Sequence, residues 1–284
     1  MKILIAGGSG QVGKDLSLYL SKDFTVCSSF RGNKPKIKNI LWKKINFKKQ
    51  ILTKFKPKIL INCLATHPYS KRKTFNDYIE SNISSIINMI EFAKKNKVKN
   101  IINVSTISVY ENTEEKISEK ANYNPDPNNL LAVTKSIGEI ILKNSDINFI
   151  NLRLPGIICS EKKTINRPWI KNISHKLKNN KKIEIYNPDN LFNSIIDTKE
   201  LANLIKTLCF KKVSGCFNFS ATKPIKIKTL ISFLKFNFRS RSHIKIKRDT
   251  IKRSSTISIN KLLKTVKFYP ASVKKILKDN FQNL

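Results

Sequence analysis

Acidic residues are scarce in this chain: 284 residues carry 19 Asp and Glu against 55 Lys and Arg, a formal net charge of +36. Glycine is also sparse, at eight, and there are only three histidines, His67, His175 and His243. Those histidines are not spaced to share one helix face, which argues against a metal centre. The five cysteines are odd in number and scattered with no Cys-x-x-Cys, so free thiols in a reducing cytoplasm are expected rather than a disulfide frame or a zinc site. No apolar run approaches the ~18–20 residues of a membrane span. The opening MKILIAGGSG is interrupted by glycine too early for a secretory signal.

What remains is a globular composition, 40% hydrophobic and 26% charged, long enough for one large domain or two unequal ones. The basic excess has two readings. One is a surface that steers polyanions. The other follows from which cation is used, since only eight of the 55 are arginine and the chain is rich in asparagine and isoleucine. Lysine, asparagine and isoleucine share A/T-rich codons, and the lysines spread along the whole chain. Charge alone therefore does not indicate nucleic-acid binding. The basic tail from Arg239 to Arg253 has few aromatics, so the stacking platform of a single-strand binder is missing. No specific nucleic-acid partner is expected.

Short apolar runs alternate with helical periodicity through the first half. Residues 2–6, 24–30, 58–65, 99–110 and 147–155 read as strands. Between them, Val12, Leu16, Tyr19 and Leu20 line one helix face, Ile83, Ile86, Ile87 and Ile90 another, and a third helix spans about 130–143. Such alternation implies an α/β fold, a doubly wound parallel sheet with helices on both faces. Past Gly156 the pattern loosens, with helix-like stretches at 198–210 and 272–281 and a β-rich basic piece at 242–259. Residues 1–156 are read as a Rossmann nucleotide-binding domain to which 190–212 return, and 157–284 as a smaller α+β substrate-binding region.

Gly7, Gly10 and Gly13 form Gly-x-x-Gly-x-x-Gly between the first strand and the first helix. Glycines there let the backbone approach a pyrophosphate at a helix N-terminus, so a dinucleotide is expected. The end of the second strand, SSFRGNK, lacks the acid that accepts from the adenosine ribose hydroxyls in NAD binders. Arg31 stands where it could pair with a 2′-phosphate, which favours NADP(H) with NAD(H) still allowed. Read otherwise, Arg31 is one more surface cation.

The glycine loop, INCLA (61–65), VSTISVY (104–110), the helix bearing Lys135 and LRLPGII (152–158) occur in an order that resembles the extended short-chain dehydrogenase/reductases, the NAD-dependent epimerase/dehydratase family. Residues 75–105, 192–205 and 215–234 extend the likeness, which weakens past about 235. The resemblance implies a Rossmann domain binding NAD(P) and a smaller domain binding a nucleoside-diphosphate sugar, in the service of surface polysaccharide. It allows a homodimer. It also implies cofactor contacts from Gly7, Ser9, Gly10, Gln11, Val12 and Gly13, from Arg31 and Asn46 at the adenosine end, from Leu64 and Ala65, and from Lys135.

The family's catalytic set is a serine or threonine after the fifth strand with Tyr-x-x-x-Lys on the next helix. Thr106 and Lys135 match the hydroxyl and the lysine. Position 131, 25 residues beyond Thr106 as the family spacing requires, holds Leu131 instead of tyrosine. A sugar carbon that loses or gains hydride must pass a proton at its oxygen, and leucine cannot carry one. Three readings follow. Tyr110, Tyr123, His67 or a water on Thr106 serves as the acid; or the chain binds cofactor and ligand without turnover; or Tyr69 and Lys73, in YSKRK, are the pair. On the substrate side Arg167 is a candidate for the diphosphate. Trp169 beside it is either a buried core aromatic or a stacking surface.

Overall fold

The computed structural model describes residues 1–66, 74–111, 116–159, 161, 164–165, 168–248 and 256–281. The chain divides into two compact units, Met1–Glu111 with Asn122–Leu154 and Leu201–Phe217, and Asn112–Ala121 with Pro155–Glu200 and Asn218–Leu284.

The first unit is a Rossmann-like α/β sandwich. Strand β1 (Lys2–Ala6) leads through the glycine loop into α1 (Gln11–Leu20), β2 (Thr25–Phe30) and the short β3 (Leu41–Lys44). β4 (Ile59–Asn62) is followed by α2 (Phe75–Ile79), a π turn over Glu80–Ser84, and α3 (Ser85–Asn96). β5 (Asn100–Thr106) precedes β6 (Lys116–Ile117) in the chain, then come α4 (Leu130–Lys143) and β7 (Phe149–Leu154). The seven-stranded sheet runs β3-β2-β1-β4-β5-β7 and ends on β13 (Gly215–Asn218), and every pair from β3 to β7 is parallel. Strand order reverses between β1 and β4, the switch point at which open α/β sheets take their ligands.

Apolar strands buried on both faces explain the continuous runs. Leu4, Ala6, Leu60 and Ile101 pack against Ile86, Met89, Ile90 and Ala93 of α3 and Leu142 of α4. The α3 stripe has the helical spacing 86, 89, 90, 93, about 100° away from Ile87. Ile87 is consequently 42% exposed, not inward as expected.

The second unit is α+β. β8 (Gly156–Cys159) pairs in parallel with β12 (Ile195–Asp197) and antiparallel with β9 (Thr164–Ile165). Three two-stranded sheets join β10 (Ile183–Tyr186) to β15 (Ile244–Lys247), β11 (Leu191–Phe192) to β14 (Ile225–Lys226), and β16 (Thr256–Ile257) to β6. Its helices are α5 (Pro168–Lys178), α7 (Ile227–Asn237), α8 (Asn260–Val266) and α9 (Val273–Phe281), while α6 (Thr198–Leu208) belongs from Leu201 on to the first unit.

Candidate active site

The glycine loop sits at the switch point and is sterically closed around its glycines. Gly7 has φ +78, and a Cβ there would lie 3.0 Å from the Cys63 carbonyl group at the end of β4. A Cβ on Gly13 would meet the Gly7 carbonyl oxygen at 2.3 Å, so α1 starts against the loop with no room for a side chain. Gly10 is the N-cap of α1 and supplies no side-chain cap, which leaves the first-turn N–H groups to other acceptors. β2 fixes the loop from the far side. Ser29 Oγ accepts from Gly7 N at 2.9 Å, and the Ser29 carbonyl accepts from Ser9 N at 3.0 Å. Beneath it Ser28 and Ser17 share a hydrogen bond. The cradle therefore fits a pyrophosphate, and Ser29 is a loop-shaping residue that sequence reasoning passed over.

Arg31 is exposed just past β2. Its field reaches Asp77 on α2, whose carboxyl is held below the usual range by hydrogen bonds from Thr74, with Lys48 and Arg31 adding to the effect. Asn46 is exposed after β3, with its Oδ1 accepting from Lys48 N at 3.0 Å.

At the other side of the switch point stands Lys135. Its Nζ donates to the Leu64 carbonyl at 2.8 Å and the Val104 carbonyl at 2.9 Å, and the residue is 3% exposed. Burial pushes the amine down to about 8, while Cys63 and Glu139 favour its charged form. The same burial drives the Cys63 thiol up to about 12, against the pull of Lys135. Leu131, one turn earlier on α4, is half-buried. Thr106 ends β5, where its Oγ1 accepts from Ser108 N at 3.1 Å and donates to Ser108 Oγ at 3.2 Å. Ser108 is thus a second hydroxyl beside the expected one, visible in the sequence only as part of STISVY.

Tyr110 and Tyr123 are tied into a buried ion pair. Arg153 on β7 is bidentate to Glu139 on α4, with Nη2 at 2.6 Å and Nε at 3.0 Å from Oε2. Its Nη1 donates to Tyr110 Oη at 2.6 Å, and the guanidinium lies 4.8 Å and 5.0 Å from the Tyr110 and Tyr123 ring centres. Glu139 keeps this guanidinium charged although burial opposes it. Tyr123 Oη donates to the Ser136 carbonyl at 3.0 Å, and burial together with Glu139 raises its phenol well above the ordinary value.

In the second unit Trp169 is 37% exposed and tilted against Phe192 at 5.9 Å, so it is not a buried core aromatic. His67, Tyr69, Lys73 and Arg167 lie outside the described residues. Among the described residues no three His, Cys, Asp or Glu side chains converge as metal ligands would, and no helix is long and apolar enough to cross a membrane.

A model of the NAD dependent epimerase/dehydratase family matches residues 3–212. Protein CapI of Staphylococcus aureus is 23% identical over 274 residues, covering 87% of this chain and 80% of that one. UDP-glucose 4-epimerase of Thermotoga maritima, solved with UDP-glucose, superposes with a TM-score of 0.78 at 15% identity, covering 100% and 97% of the two chains. WbmG of Bordetella bronchiseptica in complex with NAD gives 0.78 at 18%, covering 100% and 96%. UDP-glucuronic acid 4-epimerase of Bacillus cereus in complex with NAD gives 0.79 at 18%, covering 100% and 97%.

Proposed function

The chain belongs to the NAD-dependent epimerase/dehydratase family, and from that premise we propose that it binds NAD(P) and acts on a nucleoside-diphosphate sugar, in surface polysaccharide synthesis, with slowed proton transfer. The observation that carries this reading is the buried Lys135 amine between β5 and the backbone after β4, the same segment against which the glycine cradle packs. A buried ammonium with only carbonyl partners is costly, and a site retains one where a ligand uses it. Two of its three N–H groups go to Leu64 and Val104, which leaves the third for a cofactor ribose hydroxyl.

When bound, a nicotinamide cofactor supplies the acceptor or donor of hydride. The residues here do the rest. Gly7–Gly13 cradle the pyrophosphate at the start of α1, and Asn46 offers its carbonyl at the adenine end. Arg31, with no acid at the end of β2, favours the 2′-phosphate of NADP(H) over NAD(H). The paired hydroxyls of Thr106 and Ser108 orient the sugar oxygen and hold the water that passes its proton. Tyr123 donates its proton to the Ser136 carbonyl and Tyr110 accepts from Arg153, so this reading assigns the proton to the Thr106 and Ser108 hydroxyls. Exposed Ile87 on α3 with Ile137 and Ile140 on α4 offers an apolar face for a homodimer.

A second reading is favoured by Leu131 itself: a catalytically silent NADP(H)-binding sensor or assembly protein on the same fold. Fluorescence titration with NADPH and NADH, followed by a screen of UDP-sugars for conversion, tests both. Binding with turnover supports the enzyme. Binding without turnover of any sugar supports the sensor, and no binding near micromolar concentrations ends both readings.

A further inference from the structure

Asn62, Asn103 and Asn151 lie in register on β4, β5 and β7, on the sheet face that packs against α3 and α4, and all three are 0% exposed. Three adjacent buried amides are expensive unless every bond is made. Here they form one chain. Leu64 N donates to Asn62 Oδ1 at 3.0 Å, Asn62 Nδ2 to Asn103 Oδ1 at 2.9 Å, and Asn103 Nδ2 to Asn151 Oδ1 at 2.9 Å. Asn151 Nδ2 then donates to Cys216 Sγ at 3.5 Å, and Cys216 to Glu139 Oε2 at 3.7 Å.

The direction of this chain is forced. A backbone N–H at one end can only donate, and an ionised carboxylate at the other can only accept, so no amide between them can flip without breaking two bonds. Successive bonds in one sense polarise one another. Arg153 and Ser105, which donates to Glu139 Oε1 at 2.5 Å, hold the carboxylate end still. The other end is the N–H of Leu64, and the carbonyl of the same residue, one peptide further on, holds the Lys135 amine. Lys135 and Glu139 sit one turn apart on α4, so the network closes on the helix that carries the lysine.

We propose that Asn62, Asn103 and Asn151, linked through Cys216 to Glu139, are positioning residues that fix the Leu64 backbone at its N–H and, through the carbonyl of the same residue, the Lys135 amine. The network acts on the cofactor only through Lys135 and the backbone after β4. This inference rests on the reading of that pocket as a cofactor site, but its first readout needs no cofactor.

The test measures how fast trace acetic anhydride labels Lys135 in the ligand-free full chain at one fixed pH, read by mass spectrometry. Asn103→Leu keeps the size and removes both links. It should raise the labelling rate roughly tenfold, the scale of one lost buried hydrogen bond. Ile102→Ala, on the opposite sheet face and also 0% exposed, damages the core without touching the chain and should change the rate less than about twofold. Equal rates in the two variants would overturn the proposal. Should Asn103→Leu fail to fold, Cys216 carries the test: Cys216→Ala should speed labelling and Cys216→Ser, which keeps a donor and an acceptor, should restore it. No difference between that pair would also overturn it. A parallel NADPH titration separates the two claims, since a wild type that binds no cofactor ends the functional reading while the labelling result still decides this one.

Discussion

Leu131 and Lys135 stand one turn apart on α4, the leucine half-buried and the lysine fully buried with its amine on two carbonyls. The i, i+4 spacing puts both on one helix face. On the reading that position 131 faces the sugar, Leu131→Tyr introduces a phenol next to a cation. General acid–base catalysis is worth ~10²–10⁴-fold in adapted sites, so a rise of about ten- to a hundredfold in nucleotide-sugar turnover is expected. NADPH affinity should stay within about twofold of wild type, since the substitution leaves the glycine cradle unchanged. A variant that binds cofactor and turns over no faster would place the proton path elsewhere.

On the proposed reading, cofactor choice turns on Arg31. A hydrogen bond to a charged group contributes about 1.5–3 kcal/mol, so Arg31→Ala should weaken NADPH binding about ten- to a hundredfold and leave NADH nearly unchanged. Paired fluorescence titrations read both constants. Equal weakening for the two cofactors would make Arg31 an ordinary surface cation.

The Arg153–Glu139 pair is buried, with side chains 7% and 3% exposed. Removing one partner strands the other charge in the core, which costs about 3–5 kcal/mol, whereas replacing both by apolar residues is often neutral. Glu139→Ala should therefore lower the urea midpoint far more than the double variant Glu139→Leu with Arg153→Met. If the single variant proves as mild as the double, the pair does not carry the energy its geometry implies.

Much of the frame was legible because it rests on local rules. The glycine spacing, the doubly apolar strands and the helix at 130–143 each follow from sterics or periodicity, and α4 runs from Leu130 to Lys143. The strand expected at 58–65 stops at Asn62, because Asn62 Oδ1 takes the Leu64 N–H and turns the chain. Ile87 falls outside because the buried stripe of α3 is centred on Ile86, Met89, Ile90 and Ala93, while Ile83 lies in the π turn before the helix and does not set its face. The asparagine chain was invisible for a different reason. Its members lie 41 and 48 residues apart, and only strand order and register bring their amides together. Arg153 falls within the strand expected at 147–155, but its partner Glu139 is brought to it only by α4 packed on β7.

Lys135 should also leave a signature in stability against pH. Its ordinary value of 10.5 falls to about 8 in the folded chain, chiefly through burial. Between those values the unfolded chain holds the proton and the folded chain does not. Unfolding free energy contributed by this group therefore rises with pH from about 8 to about 10.5, and is level on either side. At about 1.4 kcal/mol per unit, the span amounts to roughly 3 kcal/mol. Other groups titrate over the same range, so the quantity to measure is the difference between wild type and Lys135→Met in urea unfolding at a series of pH values. That difference should move in favour of wild type as pH climbs through this window. Glu139 faces the amine and favours its charged form, and that pull is already contained in the value of about 8, so the sign stands. Parallel curves for the two proteins would mean that Lys135 keeps its proton to ordinary pH, and that the amine is better solvated than its two carbonyl bonds indicate.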